Sequence, residues 1–139
     1  MTPFGIKING GLRVSEYIFN VKGGIQIYKY KVIFHVDENN KFKLALNNIK
    51  NLLEDMKNSY LEVEILVNSE AVSLVKKECE YTINIEKLMK KKVSFVVCNN
   101  SLKALKIKGK ELIDGVVIVD SGVGELVKKQ IDGWAYIKP

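Results

Sequence analysis

Between Lys31 and Pro139, short apolar stretches alternate with stretches whose apolar residues recur at helical spacing. Strands that alternate with helices favour a parallel sheet, and right-handed crossovers distribute the helices over its two faces. The alternation therefore predicts an α/β fold, a three-layer α/β/α domain with a mostly parallel five-stranded sheet. The order of the strands does not follow from this pattern. The expected strands are Lys31–Val36, Leu61–Val67, Val93–Val97, Val116–Val119 and Trp134–Ile137.

The clearest helix follows the first of these strands. Apolar residues between Phe42 and Met56 repeat at helical intervals, and residues 37–40 before them supply turn and cap residues. The other helical segments are shorter: one that Ser69 could cap and that reaches about Lys77, one over Thr82–Lys91, one over Ser101–Lys106, a turn at Glu111–Ile113, and a last one over Val123–Ile131, capped by Ser121 or Gly122.

The first 30 residues have a different pattern. Strand-like stretches at Ile6–Asn9, Arg13–Val21 and Gln26–Lys31 are separated by two glycine pairs. We therefore divide the chain into an N-terminal β-rich extension of residues 1–30 and an α/β domain of residues 31–139. The extension could form a β-hairpin that covers a sheet edge or mediates assembly. A flexible leader, or a start site placed too early, would explain the same residues equally well.

Composition limits the classes of function. The 139 residues, 47% of them hydrophobic, suffice for one domain with its own core. Of the 22 basic residues 21 are lysine, and the net charge of +6 could attract acidic partners. The arginine clusters and aromatic motifs typical of nucleic-acid binding are missing from the sequence, so a nucleic-acid partner is not expected. No apolar run reaches the roughly 20 residues of a membrane span, and no secretory signal is evident. We therefore expect a cytoplasmic protein without a membrane partner.

The stretch VSFVVCNNSL contains the main candidate for chemistry, Cys98. This cysteine comes at the carboxyl end of a strand, where reactive groups of open α/β sheets collect. If a helix begins near Asn99 or Asn100, its free N–H groups point back at the sulfur and favour the nucleophilic thiolate. The two asparagines could add neutral donors without a competing charge. Free cysteine is also among the most buried residue types, so a structural role fits the same spacing.

The remaining candidates have plainer explanations. Cys79 lies between two glutamates, whose charges disfavour a thiolate, and we expect it to be incidental. The single histidine, His35, is near the end of the first strand and could share the strand-end cleft with Cys98 as a base or donor. A structural role is commoner for a lone histidine in an apolar strand. Asp37 could join that cleft, but with Glu38 it is more typical of a helix cap.

Ligand-binding motifs are scarce. The sequence has no CxxC, and beyond His35 and Asp37 it identifies no further ligands, so no metal is expected. Neither glycine motif of nucleotide-binding proteins is present. The stretch Ser121–Gly124 could bind an anion through its backbone N–H groups, although helix capping explains it equally well.

Five blocks of the sequence occur in a distinctive order: FHVDE (Phe34–Glu38), LALNNIKNLL (Leu44–Leu53), EVEILVNSEAV (Glu62–Val72), FVVCNNSL (Phe95–Leu102) and GVGELVKKQIDGWAYIKP (Gly122–Pro139). Together they resemble the DsrE/DsrF-like family, which includes the YchN-like proteins. The resemblance covers about residues 31–139.

This resemblance implies a compact domain that forms homo-oligomers, often trimers or hexamers. It also implies sulfur relay, in which a cysteine after a central strand accepts sulfur as a persulfide and passes it to a sulfur-carrier protein. Cys98 matches the place of that cysteine, but Asn99, Asn100, Ser101 and Lys103 stand where relay members have small residues and an arginine. Such chemistry needs no metal and no cofactor. The alternative is a non-enzymatic oligomeric binding or assembly module of the same fold, in which Cys98 is structural.

Overall fold

The computed structural model describes residues 17–21 and 24–139, with side chains from residue 28 onward. Its strands are β1 (Tyr17–Val21), β2 (Gly24–Ile27), β3 (Lys29–Val36), β4 (Tyr60–Val67), β5 (Ser94–Cys98), β6 (Val117–Val119) and β7 (Ala135–Ile137). Its helices are α1 (Asn39–Asp55), α2 (Thr82–Lys90), α3 (Asn99–Leu105) and α4 (Gly122–Ile131), with 3-10 segments at Ser69–Val75 and Gly109–Glu111. The last five strands form one sheet in the order β6-β5-β4-β3-β7. Every pair in it is parallel, which confirms the predicted α/β architecture.

The strand order explains which face each helix covers. From β3 to β6 the strands are added in one direction across the sheet, so right-handed crossovers place α1, α2 and α3 on the same face. The last strand, β7, pairs instead with β3. The crossover from β6 therefore runs back across the sheet, and α4 covers the opposite face.

The main hydrophobic core lies between the sheet and the first three helices. Successive strand residues point to opposite faces, so alternate residues of β3, β4 and β5 enter this core. The helix α1 meets them with apolar residues at helical spacing. The largest side chains that are fully buried here are Phe34, Phe42, Phe95, Ile49, Ile65 and Ile85. Burial of this set holds the central strands, and hence their carboxyl ends, in fixed positions.

The second face of the sheet has a smaller core. Ile33, Leu66 and Val96 of the three central strands pack against Leu126 of α4, with Val119 and Trp134 at the border. Since few apolar residues hold α4 to the sheet, polar contacts contribute a larger share of its attachment.

A buried carboxylate lies beneath α4. Glu64 of β4 is 5% exposed, and its Oε1 is 3.5 Å from Lys129 Nζ. Its Oε2 has no hydrogen-bond partner among the described residues. Burial raises the pKa of Glu64 and the nearby charge of Glu125 raises it further, while Lys129 opposes both effects. The folded protein therefore binds a proton at Glu64 more tightly than the unfolded chain does.

The N-terminal strands pair separately from the main sheet. β1 runs antiparallel to β2, with Tyr17 opposite Ile27. The predicted strand Gln26–Lys31 is divided at Tyr28, because from Lys29 onward the chain pairs with β4. The predicted strand Ile6–Asn9 lies outside the described residues. The division of the chain near residue 30 stays a prediction.

The predicted Ser69 cap is wrong. The N-cap residue is Asn68, and Ser69 is the first residue of a 3-10 segment, with a positive φ of 53°. The Asn68 side chain contacts His35 and the Ser69 N–H donates to Ser101 Oγ, so neither makes a regular cap.

Candidate functional site

Cys98 is the last residue of β5 and the N-cap residue of α3, which begins at Asn99. It faces the α4 side of the sheet, because Val96 two residues earlier packs against α4. Its side chain is 6% exposed, and it pairs in register with Val119 of the edge strand β6. The thiol is thus at the carboxyl edge of the sheet and largely shielded from water.

The surroundings of the Cys98 thiol favour the thiolate. Burial raises the pKa of the thiol, but the Ser101 hydroxyl and the N–H groups of Ser101, Gly122 and Asn100 lower it more, so the pKa lies below the usual range of cysteine. The thiol does not close a regular N-cap hydrogen bond. The N–H groups of two helices instead act together on the sulfur, without a charged partner among these groups.

The Ser101 hydroxyl is fixed by a contact from another element. The Ser69 N–H donates to Ser101 Oγ over 2.8 Å. With one lone pair of Oγ engaged, the hydroxyl proton remains available for the Cys98 sulfur. Ser69 has a positive φ, a strained conformation for a residue other than glycine, so a strained residue supports the donor beside the thiol.

Gly122 lets the N-terminus of α4 approach the thiol closely. A Cβ on Gly122 would lie 3.3 Å from Cys98 Cβ and 3.5 Å from both Cβ and Nδ2 of Asn68. The start of α4 is also capped as predicted, since Ser121 Oγ accepts from the Gly124 N–H at 3.1 Å. The N–H groups in the first turn of α4 therefore donate to Ser121 Oγ and act on the Cys98 sulfur.

A row of polar side chains continues from Cys98 across the neighbouring strands. Asn68 follows β4 directly and lies beside Cys98, because Val67 and Val97 are partners in register. Asn68 Oδ1 is 2.9 Å from His35 Nε2, and His35 Nδ1 is 2.7 Å from the Tyr136 hydroxyl. An amide oxygen only accepts, so Nε2 carries a proton, and in the neutral imidazole Nδ1 accepts from the tyrosine hydroxyl. Asn68 thus stands between His35 and Cys98.

The other predicted site residues have separate positions. Asn100 acts on Cys98 through its backbone N–H, while its side chain is exposed and that of Asn99 is half-buried. Asp37 Oδ1 is 2.6 Å from Lys138 Nζ, and this hydrogen bond lowers the pKa of the Asp37 carboxyl against the opposing effect of burial. Asp37 therefore holds the chain after β7 and is not brought to the thiol.

The cap of α1 comes from a distant residue. Glu38 is its N-cap residue but makes no side-chain cap, and the Asn39 N–H donates to Glu70 Oε2 at 3.0 Å. Glu38 thus occupies the N-cap position as expected of the Asp37 and Glu38 pair, but its side chain makes no cap hydrogen bond and the Asp37 carboxylate is paired with Lys138.

Cys79 has a local structural environment. Its Sγ donates to the Leu74 carbonyl oxygen at 2.8 Å and accepts from Thr82 Oγ1 at 3.3 Å. These contacts bind the loop after the 3-10 segment to the start of α2.

Within the described ranges, no group of three or more His, Cys, Asp or Glu residues could hold a metal ion. None of the helices described is both long and apolar enough to cross a membrane.

Sequence reasoning did not identify Asn68, Tyr136 or the donor role of Ser101. Asn68 carried a usable signal, because it follows the end of a strand as Cys98 does. No such signal was present for Tyr136, since the position of this residue depends on β7 pairing with β3.

The chain is similar to one known family and to several solved structures. The model of the DsrE/DsrF-like family matches residues 29–139. A protein of unknown function, MTH1491 from Methanobacterium thermoautotrophicum, has a structure 35% identical in sequence with a TM-score of 0.76, over 80% of this chain and 100% of that one. No curated protein matches the chain significantly.

Two further solved structures share the fold. The ychN protein from E. coli is 18% identical with a TM-score of 0.68, over 79% of this chain and 99% of its own. The conserved protein of unknown function BT1422 from Bacteroides thetaiotaomicron is 13% identical with a TM-score of 0.64, over 78% of this chain and 94% of its own.

The family match includes the whole main sheet, its flanking helices and Cys98. It agrees with the five ordered sequence blocks and with the parallel sheet seen in the structure. The chain belongs to the DsrE/DsrF-like family, which is generally associated with sulfur relay.

Proposed function

We propose that this protein accepts sulfur as a persulfide on Cys98 and passes it to a partner protein. The observation that carries the proposal is the thiol itself, which is buried and yet has a pKa below the usual range of cysteine. Burial alone would favour the neutral thiol, as expected of a structural cysteine. The donors from α3 and α4 outweigh this effect of burial, lower the pKa of the thiol and so increase the share of the nucleophilic thiolate.

The loading step needs only the groups described. The Cys98 thiolate attacks the outer sulfur of a donor persulfide, so a bond forms between the two sulfurs and the sulfur–sulfur bond of the donor breaks. The donor leaves as a thiolate and takes up the proton of the outer sulfur, which leaves an anionic persulfide on Cys98. Transfer to a partner thiolate repeats the same exchange, and no external oxidant or reductant is consumed.

The burial of Cys98 suits a carrier. A persulfide exposed to water and oxidants reacts with other thiols and moves up the oxidation ladder. A side chain that is 6% exposed limits such losses. It also requires a narrow donor or an extended partner segment that reaches the carboxyl edge of the sheet. Lys103 and Lys106 are exposed just beyond the thiol and would attract an acidic carrier.

Intact mass spectrometry tests the proposal. The full chain is incubated with cysteine persulfide at neutral pH, and the wild type is expected to gain one sulfur atom that a reducing thiol removes. The variant Cys98→Ser should gain none, while the matched control Cys79→Ser should gain as much as the wild type. The proposal fails if the wild type gains no sulfur, or if Cys98→Ser gains as much as Cys79→Ser.

A second candidate function is a self-assembling binding module with a structural Cys98, and the outer surface of α4 favours it. Val123, Val127 and Ile131 lie on successive turns of this helix and are 66%, 55% and 82% exposed. Such an apolar stripe on an exposed helix is typical of an interface between copies of a chain.

Analytical ultracentrifugation tests the interface. We expect the wild type to sediment as a trimer or hexamer and Val127→Lys to shift towards the monomer, with Lys128→Ala as a control on the same helix. A monomeric wild type would contradict the assembly. Slow alkylation of native Cys98 at neutral pH would favour the assembly module over sulfur relay, and fast alkylation the reverse.

A further inference from the structure

We propose that Asn68 is a catalytic residue of persulfide transfer, whose side-chain amide nitrogen donates a hydrogen bond to the sulfur carried on Cys98. His35 and Tyr136 are positioning residues that hold this amide in one orientation. The inference rests on the proposed sulfur relay at Cys98 and adds to it a residue that recognises the loaded form.

The orientation of Asn68 follows from its contact with His35. Its Oδ1 accepts from His35 Nε2 at 2.9 Å, and the Tyr136 hydroxyl holds the other ring nitrogen at 2.7 Å. Both nitrogens of the ring are engaged, so it cannot rotate without losing two hydrogen bonds. Because the oxygen of the Asn68 amide faces His35, its nitrogen faces the other way.

The nitrogen of Asn68 lies beside Gly122, which also approaches Cys98. One point in space, the position of a Cβ on Gly122, is 3.5 Å from Asn68 Nδ2 and 3.3 Å from Cys98 Cβ. The strand register agrees, since Asn68 and Cys98 each follow a partner of the Val67 and Val97 pair. The amide nitrogen and the cysteine side chain therefore border the same small space under the first residue of α4.

Groups other than this amide act on the reduced thiol. The groups that most lower the pKa of Cys98 belong to Ser101, Gly122 and Asn100, and Asn68 is not among them. An added sulfur extends the side chain by a sulfur–sulfur bond of about 2.05 Å. It carries the negative charge outward, beyond the donors that surround the first sulfur. A neutral amide donor one atom further out is suited to that second sulfur, because it stabilises the anion without a competing charge.

The Asn68 amide thus stabilises the persulfide form of Cys98 more than the free thiol. A hydrogen bond to a charged group changes an equilibrium constant by about tenfold or more. The loaded protein is favoured by that factor, and the stored sulfur is kept from random acceptors until a partner thiolate enters. No new reactant is required, because the exchange remains the one described for Cys98.

The test separates loading from the state of the free thiol. The full chain is equilibrated with cysteine persulfide and cysteine at fixed ratios, and the loaded fraction is read by intact mass spectrometry. Asn68→Ala is expected to lower the loading equilibrium constant by about tenfold. Its thiolate fraction against pH, followed by ultraviolet absorbance without a sulfur donor, should match that of the wild type.

Two histidine variants test the positioning role. The amide of His35→Gln can replace Nε2–H as a donor to Asn68, so this variant should keep most of the loading. His35→Asn is too short to reach Asn68 in the same way, and it should lose as much loading as Asn68→Ala. Tyr136→Phe, which removes one hydroxyl and keeps the ring, should show a smaller loss of loading with little change in thermal stability.

The outcomes are distinguishable. If the wild type gains no sulfur at any ratio, the proposed sulfur relay and the proposed role of Asn68 are both refuted. If the wild type gains sulfur and Asn68→Ala gains as much, the role of Asn68 is refuted and the proposed sulfur relay is supported. Equal losses in His35→Gln and His35→Asn would overturn the positioning role. A thiolate fraction that falls in parallel with loading in Asn68→Ala would place the effect on the free thiol and overturn the proposal.

Discussion

Gly122→Ala is expected to change the Cys98 thiol without unfolding the protein. The new Cβ would lie 3.3 Å from Cys98 Cβ, so α4 or β5 must move by a few tenths of an ångström. Overpacking of this kind costs about 1 kcal/mol at its lower end. Replacing glycine returns up to about 1 kcal/mol in a helix interior and less at the first residue, so the net loss in the free energy of unfolding stays below about 1 kcal/mol.

The same movement weakens the action of the Gly122 N–H on the sulfur. Hydrogen bonds to charged groups contribute about 1.5–3 kcal/mol, and losing about half of the smaller value is worth about 0.7 kcal/mol. That energy corresponds to about a threefold fall in the thiolate population at pH values below the pKa. The pKa of Cys98 should therefore rise towards its usual range.

Ultraviolet absorbance of the thiolate against pH measures this change directly, in a Cys79→Ser background that leaves one thiol. The alkylation rate is a less direct measure, since a thiolate of higher pKa is also intrinsically more nucleophilic. The matched control is Gly124→Ala in the same turn. Its Cβ would meet Ser121 at 3.5 Å, an ordinary van der Waals contact. The reasoning is refuted if Gly122→Ala leaves the thiolate titration unchanged, or if Gly124→Ala shifts it equally.

Three further substitutions test the site and the fold. Ser101→Ala removes the hydroxyl beside Cys98 and should lower the thiolate fraction at neutral pH by about tenfold, measured by the same titration. Glu64 has a raised pKa in the folded state, so the stability from its proton is full below the unfolded pKa of about 4.3 and is lost as pH rises through the folded pKa. Relative to Glu64→Gln, the wild type should gain stability as pH falls from about 7 to about 4, read from urea midpoints. Phe95→Ala empties a fully buried site in β5 and should cost about 3–5 kcal/mol in the same urea assay.

The sequence predicted the fold well because each element carries its own signal. The strands β3, β4 and β5 are apolar runs of nearly the predicted length, and α1 differs from its predicted bounds by a few residues. Strand order had no such signal, because any order that obeys right-handed crossovers would satisfy the same pattern. The order depends on β7 pairing with β3 across about one hundred residues of chain, a contact that no local pattern encodes.

The site was predicted in part for the same reason. Cys98 was identified from its place after a strand, and that place depends only on local sequence. The donors around it come from α3 and α4, which meet at the carboxyl edge, and Ser69 of the 3-10 segment supports the Ser101 hydroxyl. Their convergence on one sulfur is a product of strand order. The role expected of His35 as a base remains untested, although the structure brings it to Asn68 and not directly to the thiol.

The helix α4 links the thiol to the surface of the molecule. Its first residue acts on Cys98, its inner side is held by a small apolar core and by the Glu64 and Lys129 pair, and its outer side presents an exposed apolar stripe. A helix attached by so few contacts is displaced at a lower free-energy cost than one packed in the main core. We therefore expect any copy or partner that binds the stripe to change the thiolate population of Cys98, since both depend on where α4 lies. If the thiolate titration of Cys98 were identical in the assembled protein and in a Val127→Lys monomer, this coupling would be refuted, and the stripe and the thiol would be independent features of the fold.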